Sequence, residues 1–185
     1  MIRLFAALRL PPDIALALGE RQSGLMDARW RPRESLHVTL RFFGHVTEPV
    51  AADLEVELAA LAGRGFELAL DGVGCFGEGA HIEAVWAGVA ASPGLGRLAR
   101  ACEMAARRAS LKPDTRRYHP HVTLAYLRRP DPIAVAGWIQ SNNLLRSPTF
   151  WIEDFGLYSS WQSREGSHYR LERVYSLDRR KSAST

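Results

Sequence analysis

The chain predicts an α+β fold in which two antiparallel sheets face a central cleft with helices on the outside, and three observations carry that expectation. The tetrapeptide His-Val-Thr-Leu occurs twice, at His37-Val38-Thr39-Leu40 and at His121-Val122-Thr123-Leu124. Each copy alternates polar and apolar residues at the two-residue period of a half-buried strand. Strand-like and helix-like segments then alternate along the whole chain, punctuated by prolines, glycines and capping residues. With six histidines and six threonines in 185 residues, roughly 0.2 copies of the bare His-x-Thr pattern would arise by chance. Two copies with identical apolar partners therefore ask for a cause.

Residues 3–8 read as an opening strand, and Pro11-Pro12-Asp13 introduces a helix to about residue 24, with proline and aspartate suited to its first turn. A turn-rich approach over 30–35 leads to the first motif strand, 36–44, which ends at a glycine. Thr47 is placed to cap a helix over 48–62 with Pro49 in its first turn. Residues 66–73 and 82–89 alternate as strands around the glycine cluster Gly72 to Gly79. That cluster lacks the Gly-Lys-Ser/Thr of a phosphate loop, so it reads as a hairpin connection. Ser92-Pro93 opens a helix to about residue 109, with Leu95, Leu98, Ala99 and Cys102 at helical spacing. The second motif strand covers 121–127, and Asp131-Pro132 caps a short helix to about residue 142. Two last strands, 150–158 and 169–177, flank a polar loop. Residues 1–178 are expected to form a single domain of two lobes, and 179–185 a flexible basic tail.

The length suits one domain able to bury about 70% of its unfolded surface. An apolar fraction of 46% with 24% charged residues is that of an ordinary globular protein, and the chain has no signal segment or long apolar run. A cytoplasmic monomer is the expectation. Cys75 and Cys102 lack metal or disulfide spacing and read as reduced, small apolar residues. The net charge of +4 rests on arginine, with doublets at Arg107-Arg108, Arg116-Arg117, Arg128-Arg129 and Arg179-Arg180. Three of these lie around the second motif, and the guanidinium fork suits phosphate. The five tryptophans read as core or anchor residues.

Strand alternation puts His37 and Thr39 on one face, His121 and Thr123 on another, with the valines and leucines turned inward. Opening or transferring a phosphodiester needs a base for the nucleophile, an acid for the leaving oxygen and donors for the phosphoryl oxygens. Two histidines with ordinary values near 6.5 supply the first two without a cofactor, and the threonines supply donors. By the same alternation Arg41 shares the face of His37. His45 and His119 sit close to the motif histidines, but no Asp or Glu occupies the motif faces, so no metal site is expected.

At these residues the chain resembles a known family. Arg3 to Leu8, Leu36 to Gly44, Tyr118 to Leu124 and Phe155 to Ser160 together resemble the two-histidine phosphoesterases. Among them the chain is most similar to the RNA 2',3'-cyclic phosphodiesterases, also called 2'-5' RNA ligases. The resemblance implies a bilobal, pseudo-twofold fold and metal-independent opening of RNA 2',3'-cyclic phosphate ends to the 2'-phosphate. It also implies that His37 protonates the leaving 3'-oxygen, His121 activates water, and Thr39 and Thr123 hold the phosphate. Family members often carry arginine five residues after the second histidine, where this chain has Tyr126. Tyr126 and Arg128, with Arg41, are therefore the candidates for gripping the nucleotide. Reversible 2'-5' ligation or another cyclic nucleotide would use the same residues. A non-catalytic RNA-binding module would hold the backbone with its arginines, the histidines only contacting phosphate.

Overall fold

The computed structural model describes residues 1–163 and 166–178; the tail expected at 179–185 lies outside the described residues. The elements are β1 (Ile2–Arg9), α1 (Pro12–Gly19), β2 (Arg29–Trp30), β3 (His37–Val46), α2 (Glu48–Ala59), β4 (Phe66–Leu68), β5 (Leu70–Phe76) and β6 (Ala84–Val89). They continue with α3 (Pro93–Arg108), β7 (His121–Tyr126), α4 (Pro132–Asn142), β8 (Phe150–Ile152), β9 (Asp154–Ser163) and β10 (Gly166–Ser176).

The α+β class and its antiparallel pairing are as the alternation predicts. Eight strands run in the order β10-β9-β1-β3-β7-β6-β5, with β2 added beside β7, and β4 pairs with β8 in a small second sheet. The eight strands form two halves joined at one seam. Between β3 and β7 the ladder holds a single residue pair, Val38 with Val122, whereas β1 follows β3 from Ile2 to Arg9. The two sheets expected from the sequence are these halves, meeting where the motifs meet.

The hairpins are exchanged between the halves. The β5–β6 hairpin, which follows the first motif in sequence, pairs through β6 with β7 and so belongs to the second motif. The β9–β10 hairpin, which follows the second motif, pairs through β9 with β1 and so belongs to the first. Reading each half of the sequence as one structural unit fails here, because a two-residue period reports which face is buried and not which strand is the neighbour.

Local chemistry explains the elements. Leu4 to Leu8 are all buried, a continuous apolar run suited to β1 as an inner strand between β3 and β9. Helix α3 buries Gly94, Leu95, Leu98, Ala99, Cys102, Ala105 and Ala106, a stripe at three- and four-residue steps. Each buried leucine contributes about 2 kcal/mol. The Ser92 hydroxyl accepts from the Leu95 amide at 3.3 Å, and the Asp131 carboxylate accepts from Ile133 at the start of α4 at 2.9 Å. Thr47 occupies the cap of α2, but its side chain makes no capping bond. Helices α2 and α3 pack together, α3 lies against β3, and α4 lies against β5. The helical layer thus covers the Val38 and Leu40 face and leaves the opposite face open.

Some boundaries move for physical reasons. Helix α1 stops at Gly19 because Gln22, where a further turn would need an apolar residue, instead donates to the carbonyls of Arg31 and Leu124 at 2.7 and 3.1 Å. The segment 66–73 divides into β4 and β5, and 150–158 into β8 and β9, since β4 and β8 leave the main sheet to pair with each other. The glycine cluster is mostly strand: Gly74 lies under the indole of Trp86, where a Cβ would come within 2.4 Å of the ring. The chain turns beyond it, at Gly77 with φ +90°. The expected polar loop is largely strand, because β9 and β10 continue their pairing out to Ser163 and Gly166.

Candidate active site

The seam builds the site. Val38 and Val122 are fully buried, so the residues on either side of each point to the open face. Extending the antiparallel register outward from this pair sets His37 across from Thr123 and Thr39 across from His121. On that register each motif histidine lies opposite the other strand's threonine, and the two histidine positions are diagonal neighbours, for which the spacing in a regular ladder is roughly 7–8 Å. All four line one cleft of about 230 Å³ together with Arg31, Ser35, Phe42, Phe76, Glu83, Ala84, Tyr126 and Tyr169.

The two imidazoles are held in the same way. His37 Nδ1 lies 2.7 Å from the Ser35 carbonyl, and His121 Nδ1 lies 2.7 Å from the His119 carbonyl. A carbonyl accepts and never donates, so each Nδ1 carries the hydrogen, which leaves Nε2 as the proton-exchanging atom of both rings. Aromatic neighbours dry them. Phe5 and Tyr169 sit 5.0 and 5.2 Å from the ring of His37, and Phe76 sits edge-on 4.7 Å from His121. Burial pushes His37 down to about 4, with Arg31 and His121 acting in the same direction against the Ser35 carbonyl. Burial also lowers His121, with help from His119 and against the His119 carbonyl bond.

Both motif strands carry a bulge at the same place. Ala6 pairs with Arg41 and Ala7 with Thr39, which leaves Leu40 as an extra residue in β3. Val85 pairs with Ala125 and Trp86 with Thr123, which leaves Leu124 extra in β7. A bulge shifts the alternation by one residue, so Phe42 and Tyr126, each five positions after its histidine, take the cleft face. This corrects the expectation for Arg41. Its guanidinium pairs with Glu103 at 2.5 Å, donates to the Lys112 carbonyl at 2.8 Å and approaches Asp114 at 3.8 Å. Arg41 is absent from the cleft wall, and its counterpart in the second copy is the buried Ala125. Tyr126 does line the cleft, and it also walls a neighbouring depression formed with Asp27, Arg29, Leu127 and Arg128.

Sequence reasoning missed Phe42, Phe76, Tyr169 and Arg31 in the cleft wall, along with Ser35, Glu83 and Ala84. Phe42 was legible in principle, since both motifs place an aromatic five residues on. Phe76 and Tyr169 carry no local signal, because hairpin exchange alone brings them to the histidines. Arg31 is 6% exposed. Its guanidinium packs over the rings of Tyr169 and Tyr126, 5.0 and 5.8 Å from their centroids. Its backbone is pinned to the bulge: the Arg31 amide donates to the Leu124 carbonyl at 2.8 Å. Among the described residues no three His, Cys, Asp or Glu side chains converge in a way that could hold a metal ion.

Paired imidazoles with matched tautomers, flanked by paired hydroxyls on a split antiparallel sheet, define a two-histidine phosphoesterase. The chain matches the 2'-5' RNA ligase superfamily over residues 10–163 and belongs to that family. It is 27% identical over 177 residues to the RNA 2',3'-cyclic phosphodiesterase of Archaeoglobus fulgidus, covering 94% of this chain and 99% of that one. With the enzyme of the same name from Escherichia coli it shares 35% identity over 130 residues, 66% of this chain and 70% of the relative. The match to the Aeropyrum pernix protein of that name reaches 38% over 96 residues and spans about half of each, 51% and 54%. Escherichia coli LigT in its apo form superposes with a TM-score of 0.75 at 26% identity, covering 95% of this chain and 97% of that one. LigT complexed with 3'-AMP superposes with a TM-score of 0.76, also at 26% identity and over 95% and 98% of the two chains.

Proposed function

We propose that the protein hydrolyses RNA 2',3'-cyclic phosphate ends to 2'-phosphates through paired acid/base catalysis by His37 and His121, without a metal. The observation that carries this reading is the seam. A single valine pair sets two imidazoles on a diagonal, each with Nδ1 fixed on a carbonyl two residues earlier. One neutral Nε2 accepts the proton of an attacking water as its oxygen bonds to phosphorus. The P–O3' bond breaks, and the other Nε2–H gives its proton to the departing 3'-oxygen, leaving the phosphate on the 2'-oxygen. The family resemblance assigns the acid to His37 and the base to His121. Thr39 and Thr123 donate to the phosphoryl oxygens from opposite strands. The relatives named RNA 2',3'-cyclic phosphodiesterase support this substrate class, and the 3'-AMP complex of LigT supports a nucleotide in the cleft.

Tyr126 stands between the cleft and the second depression, where Arg29 and Arg128 supply charge. An RNA strand whose terminal phosphate sits at the histidines runs past Tyr126 toward these arginines. The same attack by a 5'-hydroxyl in place of water, with the P–O3' bond again breaking and the 3'-oxygen leaving protonated, gives 2'-5' ligation at the same site. No described helix is long and apolar enough to cross a membrane.

The test is hydrolysis of a nucleoside 2',3'-cyclic phosphate with product identification. The 2'-phosphate is expected, with the rate unchanged by EDTA. His37→Ala or His121→Ala each lowers the rate on the order of 10²–10⁴, and Thr39→Val or Thr123→Val produces a smaller loss. Loss of activity in chelator, or persistence in the double histidine variant, would overturn the mechanism.

A further inference from the structure

We infer that Arg31 is the cation that grips the substrate's phosphate, a charge delivered to the cleft from the segment before β3 and held in place by Tyr126, Tyr169 and the β7 bulge. The inference rests on the phosphodiesterase reading and names the group that binds the anion in it.

An arginine buried to this degree is normally paired with a carboxylate. Among the described residues Arg31 has no such partner. Its recorded hydrogen bond is to the neutral Ser167 carbonyl, at the long distance of 3.5 Å. Glu83, the carboxylate on the cleft wall, makes no ion pair with it. A guanidinium taken out of water, with its flat faces against two tyrosine rings and no carboxylate partner among the described residues, is held ready to bind an anion with part of its ordering cost already met.

The placement is built from several directions. The Arg31 amide donates to the Leu124 carbonyl at 2.8 Å. The Gln22 side-chain amide bridges the Arg31 and Leu124 carbonyls at 2.7 and 3.1 Å. Thus the bulge that turns Tyr126 into the cleft also anchors the backbone of the arginine stacked upon it. Tyr169 reaches in from β10 and touches both Arg31 and His37, at 5.0 and 5.2 Å between the relevant centres. The fork is then beside the acid/base pair, where it can donate to two non-bridging oxygens of one phosphate.

The arrangement couples binding to chemistry. The charged and titratable groups facing His37 are Arg31, His121, Tyr126, Tyr169 and Glu83. In the empty cleft Arg31 repels a proton from His37. A phosphate on Arg31 cancels that repulsion and adds its own attraction, so the bound substrate favours the protonated imidazole needed for the leaving oxygen.

The experiment uses the full chain and the variants Arg31→Met, Arg31→Lys and Arg31→Ala, with thermal melting as a check on folding. Two readouts are taken: turnover of a nucleoside 2',3'-cyclic phosphate and calorimetric binding of inorganic phosphate. Arg31→Met is expected to lower kcat/KM on the order of 10²–10³ and to weaken phosphate binding, with Arg31→Lys between it and the native protein. Added guanidinium at millimolar concentration restores part of the lost rate to Arg31→Ala and nothing to His37→Ala. The limb of kcat/KM assigned to His37 moves to higher pH in Arg31→Met. A folded Arg31→Met protein with native kcat/KM and native phosphate affinity overturns the inference, as does a loss that tracks melting and shows no rescue. If the native protein turns over no cyclic phosphate, the phosphodiesterase reading fails, while phosphate binding still decides the role of Arg31.

Discussion

The pH dependence of kcat/KM tests the electrostatics of the cleft most directly. His37 is held at about 4 against an ordinary value of 6.5. At pH 7 about 0.1% of unliganded molecules would then carry its proton, where an unperturbed imidazole would carry it in roughly 24%. His121 is displaced in the same direction. The proposed mechanism needs one ring charged and one neutral, and kcat/KM reports the free enzyme. With both values lowered, kcat/KM is expected to peak below pH 6.5. Above that it falls with a slope of about one decade per pH unit across the neutral range. The cyclic diester stays a monoanion throughout, so the slope belongs to the protein. In kcat the bound anion raises both histidines, and the optimum moves toward neutrality. The assay is initial-rate hydrolysis of a nucleoside 2',3'-cyclic phosphate from pH 4.5 to 8.5 at constant ionic strength. A kcat/KM optimum at or above pH 7, with an acid limb at 6.5 or higher, refutes the claim that burial holds the resting histidines neutral, with Arg31 adding to it at His37. The same linkage acts on folding: between about 4 and 6.5 the unfolded chain binds a proton that His37 refuses. Stability therefore contains a contribution that is present above this window and lost as pH falls through it.

Further outcomes follow from particular contacts. Arg41→Ala is expected to leave kcat/KM within about twofold while costing about 1–3 kcal/mol in urea unfolding, because the guanidinium serves Glu103 and the Lys112 carbonyl rather than the cleft. A tenfold fall in activity without loss of stability would contradict that assignment. Gly74→Ala forces a Cβ to within 2.4 Å of the Trp86 ring and is expected to cost about 1–3 kcal/mol. Because Trp86 also packs 4.8 Å from His119, whose carbonyl orients His121, activity drops with it; unchanged unfolding would show that the indole has room to move. Replacing both Arg29 and Arg128 by alanine should lower the ratio of oligonucleotide to mononucleotide kcat/KM about tenfold, and less so in high salt. An unchanged ratio would place the RNA strand elsewhere.

The chemistry of the site was more legible in the sequence than its walls. Alternation around Val38 and Val122 was enough to put two imidazoles and two hydroxyls on exposed faces, since it depends on nothing beyond the pleat. The caps at Ser92 and Asp131 were equally local, and the structure has them as read. Partnership between strands was not legible. The β5–β6 hairpin serves the second motif and β9–β10 serves the first, and no periodicity encodes that exchange. The placement of Arg41 has a still more local origin: one extra residue at Leu40 reverses the parity of the residues just after it, until a second shift at Phe43. Arg31 carried no pattern at all, because only the fold brings the rings of Tyr126 and Tyr169 against its guanidinium.

The two bulges change what the repeated tetrapeptide means. Up to Thr39 and Thr123 the copies are interchangeable, and the shared carbonyl anchors at Ser35 and His119 keep the two rings in the same tautomer. At Leu40 and Leu124 both strands slip by one, so both present their fifth residue after the histidine to the cleft. There the halves part. The first offers Phe42, an apolar ring in contact with Phe5, while the second offers Tyr126 with a guanidinium lying over it. A symmetric acid/base pair can run a reaction in which one oxygen arrives at phosphorus and another leaves, yet symmetry alone cannot decide which end of the substrate lies where. That choice falls to the residues just past the bulges. In the proposed reaction the phosphate's charge is drawn to the Tyr126 side, where Arg31, Arg29 and Arg128 gather, and the Phe42 side is left for an uncharged ring.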